Sequence, residues 1–405
     1  MSAFVAAALA ILLVLLPIGR SAEVALLAVA LAGVVVAWRA RGDARAWRAA
    51  APALVLFAAY WLPALVSAFD AQPAGKAWST VAGAVRFAPF ALGAVLALRG
   101  APSWQLRLQR ASAAIVVLWA LDALVQATTG WSFGGHLHVD RVSGVFGDDN
   151  LKLGPTLAVL SPFALLVARR DFGRLALLST WLAVAAAVLL AGARAGWLMF
   201  ALASVAMAWR EAADLRRFAL WCSGGFAMLA LLGALAYSQS ALFAERVDRT
   251  LAVARGDEAA LDFALADRLP IWHAAAGMAR AHPVNGVGVR DFRYAYREFA
   301  GPGDRWVQPG SDTGALHAHQ LVLELLSETG AIGLLAWLAG ALVAVRAWLR
   351  AGRDARALAW PASVALLVMT FPLNTHFAFY SAFWGLVFWW LLATWCAALA
   401  SGEET

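Results

Sequence analysis

His319 is the residue from which chemistry is most directly legible. It closes a long polar stretch at the point where Ala-His-Gln-Leu-Val-Leu-Glu-Leu-Leu-Ser-Glu-Thr-Gly-Ala-Ile-Gly (318–333) becomes a membrane-length apolar run. An ionisable group at a water–lipid boundary costs free energy and is poorly explained by packing. An imidazole there is suited to take a proton from a hydroxyl near neutral pH. The position therefore points to chemistry on a substrate that is itself anchored in the membrane.

Several cations fall at the same kind of boundary: Arg86, Arg141, Lys152, Arg194 and Arg268. Arginine keeps its charge at physiological pH, and its planar fork binds phosphate oxygens in pairs. Such a set suits a lipid-linked diphosphate, whose growing charge on departure fixed cations can stabilise in place of a divalent metal. Together with His319, the set fits glycosyl transfer at a membrane surface. Plainer roles stand beside this one. Arg86 could snorkel to the interface, Arg141 and Lys152 could pair with Asp140, Asp148 and Asp149, and Arg194 could bind the last carbonyls of the preceding helix.

Arg290, Arg293 and Arg297 recur at helical spacing, interleaved with Tyr294, Tyr296 and Phe299. They make either a solvated face or a docking face for phosphates of an acceptor glycolipid. His317 and His319 lack a clear third ligand, and Asp148-Asp149 is not an Asp-x-Asp pair, so a metal-free site without cofactor is expected. Asn285-Gly286-Val287-Gly288 reads as a helix stop and turn, because no strand precedes it as a nucleotide loop would need.

The elements that must position these residues follow from composition. Of 405 residues, 62% are hydrophobic and 14% charged, which implies an all-α polytopic membrane protein. Spans of about 20 apolar residues are expected near 2–18, 22–38, 51–68, 80–98, 112–130, 151–168, 175–191, 196–209, 218–237, 320–345, 358–374 and 379–398, twelve in all. Residues 2–18 read as a retained first helix. Arginines concentrate in alternate loops (39–48, 99–110, 169–174, 210–217 and 346–356), which places both termini in the cytoplasm. That pattern also accounts for the net charge of +7 without nucleic acid. Cys222 and Cys396 both lie in apolar runs, and no disulfide is expected.

The expected organisation is nine helices over 1–237, a helical periplasmic segment over 238–318, and three helices with the C-terminus over 319–405. In the long segment, Ile271 to Ala281 and Arg290 to Phe299 read as helices, with His282-Pro283 ending the first. The turn-rich stretch from Gly301 to Gly314 leads into His319 as either a lid or a simple connector.

In these motifs the chain resembles the bacterial O-antigen ligases, in a superfamily shared with O-antigen polymerases and some protein O-oligosaccharyltransferases. The ligase pattern of His, then Asn, Ser or Gln, nine residues and Gly-x-x-Gly is met by His319-Gln320 and Gly330-Ala331-Ile332-Gly333. The pattern of Arg, three residues and Leu is met by Arg194 and Leu198. Arg268, Trp272, His282-Pro283 and Gly286-Val287-Gly288 match a third superfamily stretch. The resemblance implies transfer of O-antigen polysaccharide from undecaprenyl diphosphate to the lipid A core. It implies action at the periplasmic face of a Gram-negative inner membrane, with inversion and without metal, and essential roles for His319, Arg194 and Arg268. Arg290 and Gly301 also satisfy a short polymerase pattern, so a polymerase with the same donor is the nearest alternative. A lipid or solute transporter is the more distant one, and it would carry charges near the bilayer centre.

Overall fold

The computed structural model describes residues 1–136, 141–147, 150–239, 241–251, 254, 261–263 and 265–402. The pairing considered for Arg141 and Lys152 with Asp140, Asp148 and Asp149 lies outside the described residues.

Every one of the twelve apolar segments is helical. They form α1 (Ser2–Leu15), α2 (Ala22–Arg39), α3 (Ala44–Ser67), α4 (Ala74–Ala84) running into α5 (Phe87–Leu98), α6 (Pro102–Thr129), α7 (Leu153–Val167), α8 (Arg174–Leu190), α9 (Arg194–Glu211) and α10 (Leu215–Gln239). After the polar segment come α14 (Leu321–Arg350), α15 (Arg353–Thr370) and α16 (Ala382–Leu399). Among the described residues, seven helical stretches are long and apolar enough to cross a membrane: α2, α3, α4–α5, α6, α10, α14 and α16. α1 and α8 are apolar but shorter.

Packing follows the distribution of apolar residues round each helix. α7 is apolar on all sides and buried along its whole length, so it forms the centre of the bundle. α16 is buried almost throughout, and its Trp389 and Trp390 are among the largest fully buried side chains. α2 and α5 approach closely through Gly33 and Gly93, where any side chain would meet the facing backbone. α10 buries none of its residues. Cys222 and Cys396 are both free.

The polar segment adds α11 (Ala241–Leu251), α12 (Leu269–Ala281) and α13 (Phe292–Phe299). α12 and α13 share a small core of their own, built on Ile271, Ala275, Met278, Phe292 and Tyr296. The loop from Gly301 to Gly314 is tied to that core: Tyr296 Oη donates to Asp304 at 2.8 Å, Trp306 Nε1 donates to the Asp267 carbonyl at 2.8 Å, and Gly314 N donates to the Arg293 carbonyl at 2.8 Å. A short hairpin, β1 (Trp131–Ser132) with β2 (Gly135–His136), follows α6. Asp122 and Gln126 of α6 accept backbone N–H groups of Phe133, Ser143 and Gly144, and so hold the segment that carries Arg141.

The decisive irregularity lies in α14. Its backbone is non-helical at Gly330, with φ +62°. A break in a membrane helix frees polar groups that must find other partners. Here the loop after α12 supplies them. Val287 N and Gly288 N donate to the carbonyls of Ser327 and Glu328 at 2.8 and 3.1 Å. Ala331 N and Ile332 N donate to the carbonyls of Pro283 and Val284 at 2.9 and 3.1 Å. Gly286 (φ +70°) and Gly330 lie at the crossing, and a Cβ on either would collide with backbone of the other segment. The His-Pro…Gly-x-Gly and Gly-x-x-Gly motifs are thus two halves of one backbone junction.

Gly330→Ala and Gly286→Ala are each expected to lower the thermal unfolding temperature in detergent, at a cost of about 1–3 kcal/mol from backbone strain alone. Gly224→Ala, on the open surface of α10 with nothing near its Cβ position, should be neutral or slightly stabilising. Equal effects at the three positions would contradict the junction.

Candidate active site

α12 brings the two most informative residues together. Arg268 immediately precedes it, with Pro270 in its first turn. Trp272, one helical turn on, donates from Nε1 to the carbonyl of Ala318 at 3.1 Å. The spacing of Arg268 and Trp272 therefore fixes a cation and the backbone beside His319 in one frame. Among the described residues only four non-glycine positions have positive φ: Ala266, Asp267, Arg290 and His319. All flank this site. Such conformations cost free energy and persist where the surroundings enforce them.

A cavity of about 360 Å³ opens here, lined by Arg141, Arg194, Arg246, Arg249 and Arg268, together with Glu245, Thr375 and His376. Arg194 is placed by the turn at Gly192 (φ +70°), begins α9, and donates to Thr250 Oγ1 at 3.3 Å. The Arg246 guanidinium lies over Gly192, where a side chain would displace it. Arg249 is held by Asp267 at 2.5 Å and by the Phe263 carbonyl at 2.6 Å. Arg268 makes no ion pair among the described residues, and its Nη1 donates to the Leu265 carbonyl at 3.4 Å. Burial, then the charges of Arg194 and Arg249, pulls Arg268 down to about 10, which still leaves it charged at neutral pH.

His319 adjoins this cavity through the segment between α15 and α16. Its Nδ1 lies 2.9 Å from the carbonyl of Thr375. A carbonyl only accepts, so this contact puts the ring proton on Nδ1 and leaves the lone pair on Nε2. Burial, then His317 and Arg268, holds the His319 imidazole down to about 2. His376 is likewise pulled to about 3 by burial and by His319, Arg268, His317 and Lys152. The site is therefore a neutral imidazole beside a concentrated positive field. An anion with several oxygens would relieve that field and raise the basicity of Nε2.

The structure brings together His319, Arg268, Arg194 and Arg141. Lys152 stands at the edge, with its ammonium 4.7 Å from the Phe383 ring and its charge felt by His376. Arg290 and Arg293 do not line this cavity, but after burial they lower the basicity of His317. Arg290 precedes α13 in a left-handed conformation rather than lying on the helix with Arg293 and Arg297, and its N–H donates to Glu328 Oε2 at 2.8 Å. Arg297 is exposed and bonds the Ser311 carbonyl at 2.7 Å. Arg86 is remote from the cavity: it pairs with Glu23 of α2 at 2.7 Å and stacks on Phe87.

Sequence reading missed Arg246 and Arg249, although their spacing of three on α11 was an available signal. It also missed Thr375 and His376, a polar pair in the short connection between two apolar helices. No group of three or more His, Cys, Asp or Glu able to hold a metal occurs among the described residues.

The apolar helical bundle thus carries an arginine-lined cavity beside the imidazoles of His376 and His319. Residues 178–338 match the family model described as O-antigen ligase. That match spans α9 to α12, the junction and His319, and it supports the chain as a member of the O-antigen ligase/polymerase superfamily. No curated protein matches the chain.

Nitrogen-15 NMR of histidine-labelled protein should show His319 neutral and protonated on Nδ1 from pH 8 down to pH 5, because its pKa lies below that range. Undecaprenyl diphosphate should raise that pKa toward the ordinary 6.5. An imidazolium signal at pH 6.5 without ligand would contradict the described field.

Proposed function

We propose that the protein transfers O-antigen polysaccharide from undecaprenyl diphosphate to a sugar hydroxyl of the lipid A core. The observation that carries this reading is the guanidinium-lined cavity next to an imidazole whose Nε2 lone pair is left open. The diphosphate is gripped by Arg268 and Arg194, with Arg141 and Lys152 completing the cationic rim. Arg246 and Arg249 add charge from α11. His319 Nε2 takes the acceptor proton as the hydroxyl oxygen attacks the anomeric carbon from the face opposite the diphosphate, which inverts the configuration. The carbon–oxygen bond to the diphosphate breaks, and the leaving group keeps the electron pair where the guanidinium groups await it.

The cavity stands at the outer boundary in this reading: periplasmic, with both termini cytoplasmic, in a Gram-negative inner membrane. Arg293 and Arg297 are the cations offered to phosphates of the acceptor. The backbone N–H of Arg290 braces the junction at Glu328, and Arg86 pairs with Glu23 of α2. The chemistry needs neither metal nor nucleotide, since the leaving group is already activated and the cations are fixed.

His319→Ala should leave a folded, inserted protein with transfer reduced by about 10²–10⁴, measured by gel analysis after reconstitution with lipid-linked polysaccharide and core-lipid acceptor. Product on the core lipid is the expected outcome. A lengthened donor would assign the chain to the polymerases, and full activity in the alanine variant would remove His319 as the base.

A further inference from the structure

Behind the two histidines lies a carboxylate that the transfer reading leaves unused. Glu324, in the first turn of α14, is fully buried. Its Oε1 accepts the N–H of Phe379 at 2.9 Å. Among the described residues its Oε2 has no hydrogen-bond partner, and it lies 3.7 Å from His317 Nδ1. Leaving a buried carboxylate oxygen unpaired is expensive, so its position requires a reason beyond packing.

The contacts form a closed circuit. His317 Nδ1 accepts the backbone N–H of His319 at 3.2 Å, and the two rings lie 3.8 Å apart between centroids. That bond satisfies the N–H of His319 in its left-handed conformation, with φ +54°. Phe379 and Thr375 belong to one short segment, so the Glu324 bond to Phe379 also steadies the carbonyl that holds His319 Nδ1. Glu324 thus reaches the imidazole through residues 375–379, while its Oε2 faces His317 Nδ1 without a hydrogen bond. The other charged or titratable groups facing this circuit among the described residues include His376, Arg268, Arg290, Arg293, Glu328, Tyr60 and Tyr380.

We propose that Glu324 is a positioning residue that, with His317, steadies the charge developing on His319 during transfer; this rests on the reading of His319 as the base. When the acceptor O–H bond breaks and the proton arrives on Nε2, the ring becomes an imidazolium in a field of arginines. A buried carboxylate one histidine away is the counter-charge that makes this tolerable. The proton then leaves to water through the cavity, and the pair returns to its resting arrangement.

The test is steady-state kinetics across pH on the full-length reconstituted protein carrying Glu324→Gln, which keeps an oxygen for the Phe379 N–H and removes the charge. Expected is a fall in kcat of about 10–100-fold with the KM for the lipid-linked donor unchanged. The acid limb of the profile should move to lower pH, because a lost anion lowers the pKa of a neighbouring imidazole. Glu324→Asp should recover part of the loss. His317→Asn, which retains an acceptor for the His319 N–H, should show the same direction of change and covers the case of an unstable Gln variant. Wild-type kcat and acid limb in either folded variant would overturn the inference. His319→Ala assayed alongside separates the two ideas: activity there removes the base itself, whereas an inactive His319→Ala with a normal Glu324→Gln removes only the counter-charge.

Discussion

Four backbone hydrogen bonds across the break in α14 are the constraint on which the rest of the site depends. A helix in a membrane cannot open without new partners for its freed N–H and C=O groups. The segment 283–288 provides them from outside the helix. In doing so it fastens the polar segment, with α12 and Arg268, to the helix that His319 precedes. Trp272 adds a second fastening one turn from Arg268. Cation and imidazole are then held by two separate connections rather than by one flexible loop, which is the preorganisation that stabilising a leaving anion needs.

That rigidity has an electrostatic consequence. Five arginines around one cavity repel one another, and burial raises the cost. Within the protein, Asp267 answers Arg249. In the proposed reading the donor's diphosphate adds negative charge to this field. The basicity of His319 is lowered first by burial, then by His317 and by Arg268 of this field.

Much of the helical architecture was legible because membrane-length apolar runs are a strong periodic signal, and each expected segment is a helix. The arginines were legible one at a time, since cations at the apolar boundary are conspicuous. Their gathering was not. Whether Arg86 joins the cavity is decided by Glu23, 63 positions away in the chain, and no local pattern encodes that. Arg290 read as part of α13 because its spacing is helical, but its left-handed backbone turns it toward Glu328. The glycines of the two motifs were visible as turns, while their mutual pairing is a long-range contact. Thr375 and His376 escaped notice because a short polar connection between apolar helices looks like any other loop.

The most direct test of the central claim is the affinity of undecaprenyl diphosphate for the purified protein and for its Arg268→Ala and Arg194→Ala variants, with Arg297→Ala, outside the cavity, as control. The account predicts affinity weakened at least about tenfold in each cavity variant, as expected for loss of a charge-assisted phosphate contact, and unchanged in the control. Equal affinity in all four proteins would contradict it.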